Sequence, residues 1–209
     1  MKQEQIFIYA ICMTLLFAGG LPNDWRDRAS ILSDFIVVTW GISIFNVMVG
    51  GTLTQLGIRP RDPSGLLSIG FSPFLHADGN HLFGNTLPFI ILGWLVLLQG
   101  IAAFYIVTVI VAIASGLGVW LFGRPNTNHL GASGVIFGYL GFLMVYAYFK
   151  NDAMTSVVSL FVGFFYWRSL LEIFPSQKGI SWEGHLFGLL GGVLAAGWLP
   201  ALQRLIPVG

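Results

Sequence analysis

The sequence predicts an all-α membrane protein, a bundle of six transmembrane helices preceded by a short apolar segment. Three observations predict it. Hydrophobic residues make up 56% of the 209 positions and 27 glycines come on top of them, where about 45–50% covers both together in an ordinary globular domain. Charged residues are 9%, too few to cover a water-soluble particle, for which about 25% is usual. Charge-free stretches long enough to cross a bilayer then recur along the chain. The same numbers exclude a disordered chain, the single Cys12 excludes a disulfide scaffold, and a formal charge of +1 excludes a nucleic-acid-binding surface.

A spanning helix needs about twenty apolar residues at about 1.5 Å rise each. Residues 1–29 hold one apolar run, Ile6 to Gly20. With Lys2 before it and small residues at its end, it partly matches a signal peptide; it equally fits a short extra helix or an interfacial segment. An extra membrane helix is preferred, because a spanning helix starting near residue 31 needs no separate signal. The domain proper covers 30–205. Its first span lies between Asp34 and Arg59. Residues 57–75 are too apolar for a linker and too broken by Pro and Gly for a span, and so predict a folded loop lying partly in the interface. Leu82 to Gly123 carries no charged residue or His and is too long for one crossing. Gln99-Gly100 divides it into spans near 82–98 and 101–122. Pro125-Asn-Thr-Asn128 reads as a loop, so the fourth helix begins near Gly131. The fifth span runs over 153–174, with Arg168 and Glu172 spaced i,i+4 at its end, to pair or to reach the interface. The sixth runs from Gly184 to Gln203. Basic residues scatter over alternate loops, so their count does not orient the chain.

Polar groups at membrane depth are costly and therefore mark candidate sites. His81 and Asn85 share one side of the second span's head, with His76 just before it; an interfacial cluster explains them equally well. Ser133 stands between glycines at the start of the fourth span. Small-xxx-small spacing, Gly134 with Gly138, suits tight helix packing. Alternatively the hydroxyl is a nucleophile, placed where free N–H groups and the helix dipole stabilise negative charge. His185 opens the last span, beside Gly184, Gly188 and Gly192, which recur every four residues. If that smooth face packs on Gly134 and Gly138, the backbones approach closely enough for His185 to reach Ser133 as a general base. Glu183 is two residues from His185 and cannot face it on a helix. The pair therefore reads as a dyad, with Glu183 interfacial.

His76-x4-His81-x3-Asn85, Gly131-Ala-Ser-Gly134 and Gly184-His185-x2-Gly188 stand in one order, each at the head of a separate span. Together they resemble the rhomboid family of intramembrane serine proteases over roughly residues 30–205. The resemblance implies a six-helix rhomboid-like bundle that cleaves transmembrane segments of membrane proteins, with Ser133 as nucleophile and His185 as general base. It further implies that His81, Asn85 and the Ser133 backbone N–H stabilise the oxyanion, with His76 supporting the same pocket. Residues 57–75 correspond to the family's large first loop, and 153–174 to the helix near which substrates enter. The site is then expected to face the extracytoplasmic side of an inner or plasma membrane. The Trp-Arg pair common in the family's first loop is absent; Arg59-Pro-Arg61 stands there instead, so the loop is expected to be held differently.

The partners expected are the lipid bilayer and transmembrane substrates; no cofactor and no metal is expected. Two other functions compete. A small transporter could pass protons or metal along His76, His81, His129 and His185, but no Cys, clustered carboxylate or His-Glu-x-x-His motif joins them, and no internal repeat is found. An inactive binder of transmembrane clients would use the same groove, against which the intact Ser133 and His185 speak.

Overall fold

A computed structural model describes residues 23–175 and 179–205. The apolar run at 6–20 lies outside the described residues. The helices are α1 (Trp25–Met48), α2 (Pro63–Leu67), α3 (Gly79–Leu97), α4 (Ile101–Phe122), α5 (Ser133–Lys150), α6 (Ala153–Tyr166) and α7 (Trp182–Leu205). Five of them are long and apolar enough to span a membrane. The fifth predicted span differs. Its helix α6 has 14 residues, about 21 Å, and the chain then tightens into a 3₁₀ strap, Ser169–Ile173. There the Leu170 and Leu171 amides bond three residues back, to the Trp167 and Arg168 carbonyls.

α5 is the hub. It packs against α3, α4, α6 and α7, while α1 leans on α3 at the edge. Phe104, Tyr139, Phe142 and Leu143 form the middle of the core. A polar pair at that depth is satisfied internally, with the Thr108 and Tyr139 hydroxyls 2.7 Å apart. Most of α1 presents its apolar side chains outward, as a lipid-facing helix does.

Glycines set the closest approach in the bundle. A Cβ on Gly188 would fall on the carbonyl of Gly134, one on Gly192 on the carbonyl of Gly138, and one on Gly141 on that of Leu189. The two glycine faces expected from sequence therefore meet, backbone against backbone. α4 joins them, since Ser115 Oγ donates to the Gly184 carbonyl at 3.0 Å.

Successive spans alternate in direction, so the heads of α3, α5 and α7 share one face of the bundle with the end of α4. The first loop is folded onto that face. Asp62 caps α2, whose first residue is Pro63. Ile58 and His129 exchange both backbone hydrogen bonds, at 2.7 and 2.9 Å. Arg61 donates to the Leu121 and Gly123 carbonyls at 3.0 and 2.8 Å, and so neutralises the open carbonyl end of α4. Trp120 Nε1 donates back to the Asp62 carbonyl at 2.8 Å. Arg61 thus joins the Ile58–His129 pair in holding this loop in place. On the opposite face Arg28 pairs with Asp24 at 2.7 Å and donates to the last-turn carbonyl of Leu97.

A methyl group at Gly188 has nowhere to go except into backbone, whereas Gly163 has open space. Gly188→Ala is expected to destabilise the bundle by about 1–3 kcal/mol, as overpacking does, and Gly163→Ala to leave stability unchanged or slightly higher. Thermal melting of both variants in detergent checks this; equal melting temperatures would contradict the contact.

Candidate active site

Ser133 is the first residue of α5, and no side chain caps that helix at Ala132. Its first-turn N–H groups are therefore available to a ligand. The strained connection before it is set by Gly131, whose φ of +116° favours glycine. The Gly131 amide donates to the Ser72 carbonyl at 2.9 Å, which ties the turn to the first loop.

His81 and Asn85 point at this turn from α3. A side chain on Gly131 would lie 2.6 Å from His81 Nε2 and 3.4 Å from Asn85 Nδ2. Asp78 caps α3 by accepting from the His81 amide at 2.9 Å, which fixes where the helix starts and hence how its side chains aim. His76 is 4% exposed. Its Nε2 lies 3.1 Å from Asn85 Nδ2, and its ring meets His81 edge-on with centroids 5.0 Å apart. If Nε2 accepts, one Asn85 N–H is taken and the other is left to face the Gly131 turn. Burial pushes His76 down to about 4, with the neighbouring His81 acting in the same direction.

His185 is buried in the first turn of α7. Its ring stacks on Phe137 at 4.0 Å and 7°. Phe137 is one turn along α5 from Ser133 and on the same side, so this stack brings the imidazole to the serine's side of the helix. The Ser133 hydroxyl and His185 are not hydrogen-bonded to each other. Such contacts are often long before substrate binds and tighten in the complex. His185 Nδ1 instead faces the strap after α6, 3.3 Å from the Glu172 carbonyl oxygen and 3.8 Å from its Oε2.

Ser133 borders two cavities. One, of about 30 Å³, contains Ser115, His129 and Ser181 in its wall. The other, of about 140 Å³, lies between α3, α5 and the strap and includes Asn85, Phe137 and Glu172. A third, almost wholly apolar, of about 100 Å³, lies between α1 and α3 and touches His76 and Asn85 from the far side.

The structure thus sets His81 and Asn85 against the Gly131 turn that precedes Ser133, with His76 on Asn85, and sets His185 on Phe137 one turn further along α5. Two expectations change. Glu183 is 2% exposed rather than interfacial, and His129 lies within its field. Arg168 and Glu172 do not pair, since the Arg168 guanidinium lies over the Trp167 ring, 5.6 Å from its centroid. Sequence reasoning also missed His129 as a tie. Its Nδ1 and Nε2 lie 2.7 Å from Ser181 Oγ and Thr127 Oγ1, linking the loops that lead into α7 and α5. Burial holds it below the ordinary imidazole range, Glu183 opposing.

A bundle of apolar, membrane-length helices with a helix-initial serine and a buried histidine toward its loop-bearing end defines a class, that of polytopic membrane proteins. A sequence model of the Rhomboid domain matches residues 63–201, and the chain belongs to the rhomboid family. It is 38% identical over 188 residues to an uncharacterized protein of Mycobacterium tuberculosis, covering 86% of this chain and 78% of that one. An uncharacterized protein of Mycobacterium leprae is 35% identical over 188 residues, covering 86% of this chain and 74% of its own. YdcA of Bacillus subtilis, whose name assigns it provisionally to the rhomboid proteases, is 31% identical over 121 residues, 57% of this chain and 60% of that one. Membership and the apolar helices make the chain an integral membrane protein of a family of intramembrane proteases.

The buried histidines give the fold a pH dependence. Between pH 6.5 and about 4 the unfolded chain binds a proton that folded His76 refuses, and His129 acts in the same direction. Their contribution is therefore present above that window and lost as pH falls through it. The melting temperature should drop from pH 7 to pH 4.5, and less steeply in His76→Gln; a rise on acidification would contradict the assignment.

Proposed function

We propose that this protein is an intramembrane serine endopeptidase that cleaves transmembrane segments of membrane proteins. The observation that supports the reading is the meeting of the two glycine faces, with the His185 ring stacked on Phe137, one helical turn along α5 from Ser133; family membership supports it independently. Ser133 Oγ attacks the scissile carbonyl while His185 Nε2 takes its proton, then returns it to the leaving amine. The negative oxygen that forms is met by His81, by the free N–H of Asn85 and by the Ser133 amide at the uncapped start of α5. His76 holds the Asn85 amide in the orientation that leaves one N–H free. Water reaches the site at the loop-bearing face while the remainder of the bundle stays dry. A substrate helix must unwind before its carbonyl can be attacked, so segments with Gly or Pro near small residues are favoured.

Ser133→Ala and His185→Ala should each abolish cleavage of a transmembrane substrate by the purified protein while melting normally, and only chains with Ser133 should react with a fluorophosphonate. Asn85→Ala, which leaves nucleophile and base in place, should lose on the order of 10²–10³-fold in kcat. Full turnover in Ser133→Ala or His185→Ala would overturn the reading.

We also propose that the site faces the extracytoplasmic side of a plasma or inner membrane, with Arg26, Arg28 and Arg204 in the cytoplasm. A cysteine placed at Ser64 should react with an impermeant reagent added to intact cells, and one placed at Gln203 should not. Labelling of both from outside would contradict the six-span arrangement.

A further inference from the structure

We propose that Glu172 is a positioning residue for His185, a carboxylate supplied by the strap after α6 that orients the imidazole and stabilises it when it carries the serine's proton. The inference rests on the serine-protease reading above and adds a third group to it.

Four observations carry it. His185 Nδ1 lies 3.3 Å from the Glu172 carbonyl and 3.8 Å from Glu172 Oε2, so backbone and side chain of one residue approach the same ring nitrogen. A carbonyl can only accept, so Nδ1 carries the hydrogen and the Nε2 lone pair is left for Ser133. The Phe137 stack, 7° from parallel, fixes the ring plane so that the two nitrogens cannot exchange places freely. The Glu172 side chain is 38% exposed and lines the cavity that Ser133 lines. Arg168, one turn away, is turned to the Trp167 ring and does not neutralise it.

The groups around His185 leave this role to Glu172. α3 presents His81, which repels a protonated imidazole. α5 carries Ser133 and Phe137, and α4 contributes Ser115, which bonds to the Gly184 carbonyl. α6 contributes Tyr166 to the cavity wall. Glu183, on the imidazole's own helix, lies in the field of His129. When Ser133 Oγ bonds to the substrate carbon, its proton passes to His185 Nε2 and the ring becomes cationic. The proton stays on the ring until the C–N bond breaks and the amine takes it. Glu172 gains no proton at any step; it supplies a negative charge beside the cation. The backbone carbonyl remains in Glu172→Gln, so that variant keeps the tautomer and removes only the charge.

The test compares full-length wild type, Glu172→Gln and Glu172→Asp in detergent, reading cleavage kinetics and the pH dependence of fluorophosphonate labelling. The small reagent reports on Ser133 without the entry of a substrate helix past the strap. Removing a negative charge from beside the imidazole makes it easier to deprotonate. The acid limb of Glu172→Gln should therefore move to lower pH by about one unit, with kcat about tenfold lower and KM unchanged, since one unit corresponds to a tenfold change. Glu172→Asp, which keeps a carboxylate on the strap, should lie between the two. A labelled Ser133 with the same acid limb in wild type and Glu172→Gln would overturn the proposal and leave the protease reading standing. A wild-type Ser133 that neither labels nor cleaves would overturn both.

Discussion

The backbone contact between α5 and α7 is the constraint on which the rest of the structure depends. Lipid tails are as apolar as leucine, so helices in a bilayer gain little by hiding apolar surface from them; they are held by close packing and internal hydrogen bonds. Here the packing is at its limit, because glycines on one helix lie against carbonyls of the other along three turns. Such a contact fixes register as well as distance, since a slip of one residue would drive a side chain into backbone. Ser133 sits one residue before the first glycine of its helix, and His185 three before Gly188. Their relative position therefore follows from the glycine register, and the Ser115–Gly184 bond adds α4 to the same junction.

Polar groups are sorted by this arrangement. The first loop, the His129 tie and the heads of α3, α5 and α7 gather at one face, and Arg28 and Lys150 hold the other, the latter reaching Gln99 at 3.0 Å. Between them Thr108 bonds to its own helix at Phe104 and to the Tyr139 hydroxyl, and Ser159 of α6 donates to the Leu143 carbonyl of α5, as a medium without water favours. Arg61 has a particular place in this sorting. Its guanidinium meets two open carbonyls of α4 while its backbone amide meets a third, that of Trp120 at 3.0 Å. One residue thus converts a helix end, which would otherwise need solvent, into the anchor of the loop above the site.

The glycine faces and the helices Gly79–Leu97, Ile101–Phe122, Ser133–Lys150 and Trp182–Leu205 were legible in the sequence, whereas α1 runs from Trp25 to Met48 instead of lying between Asp34 and Arg59, and α6 ends early. A spacing of four is a property of the helix itself, and alternation of spans places every second helix head on one side. What was not legible came from chain that is neither helix nor repeat. Glu183 was excluded as a partner of His185 by helix geometry, and it does not contact it. Its burial, at 2% exposure, is a property of the folded bundle that no periodicity encodes. Glu172 was visible only as half of an i,i+4 pair with Arg168. That pairing presumes a helix continuing past Tyr166, and the 3₁₀ strap turns the two side chains apart. His129 gave no signal because its partners, Thr127 and Ser181, are ordinary loop residues brought together by the approach of α5 and α7.

The early end of α6 and the place of the site are one requirement seen twice. A helix of about 21 Å cannot cross a hydrocarbon layer of about 30 Å, and the chain beyond it leaves α-helical hydrogen bonding. Irregular backbone at such a depth is tolerated only against protein or water, so the strap must lie over the bundle at the wetter face. That is the face where α3, α5 and α7 begin, and the strap accordingly closes the 140 Å³ cavity beside Ser133. In the proposed function, thinning of the bilayer beside α6 is one way to accommodate so short an apolar segment. A substrate helix that reaches the site between α3 and the strap would meet that thinner layer first. Its terminal turns would leave the hydrocarbon sooner, and the backbone groups freed by unwinding would find water. In the proposed function, the deficit in helix length therefore lowers the cost of the step that intramembrane cleavage most needs.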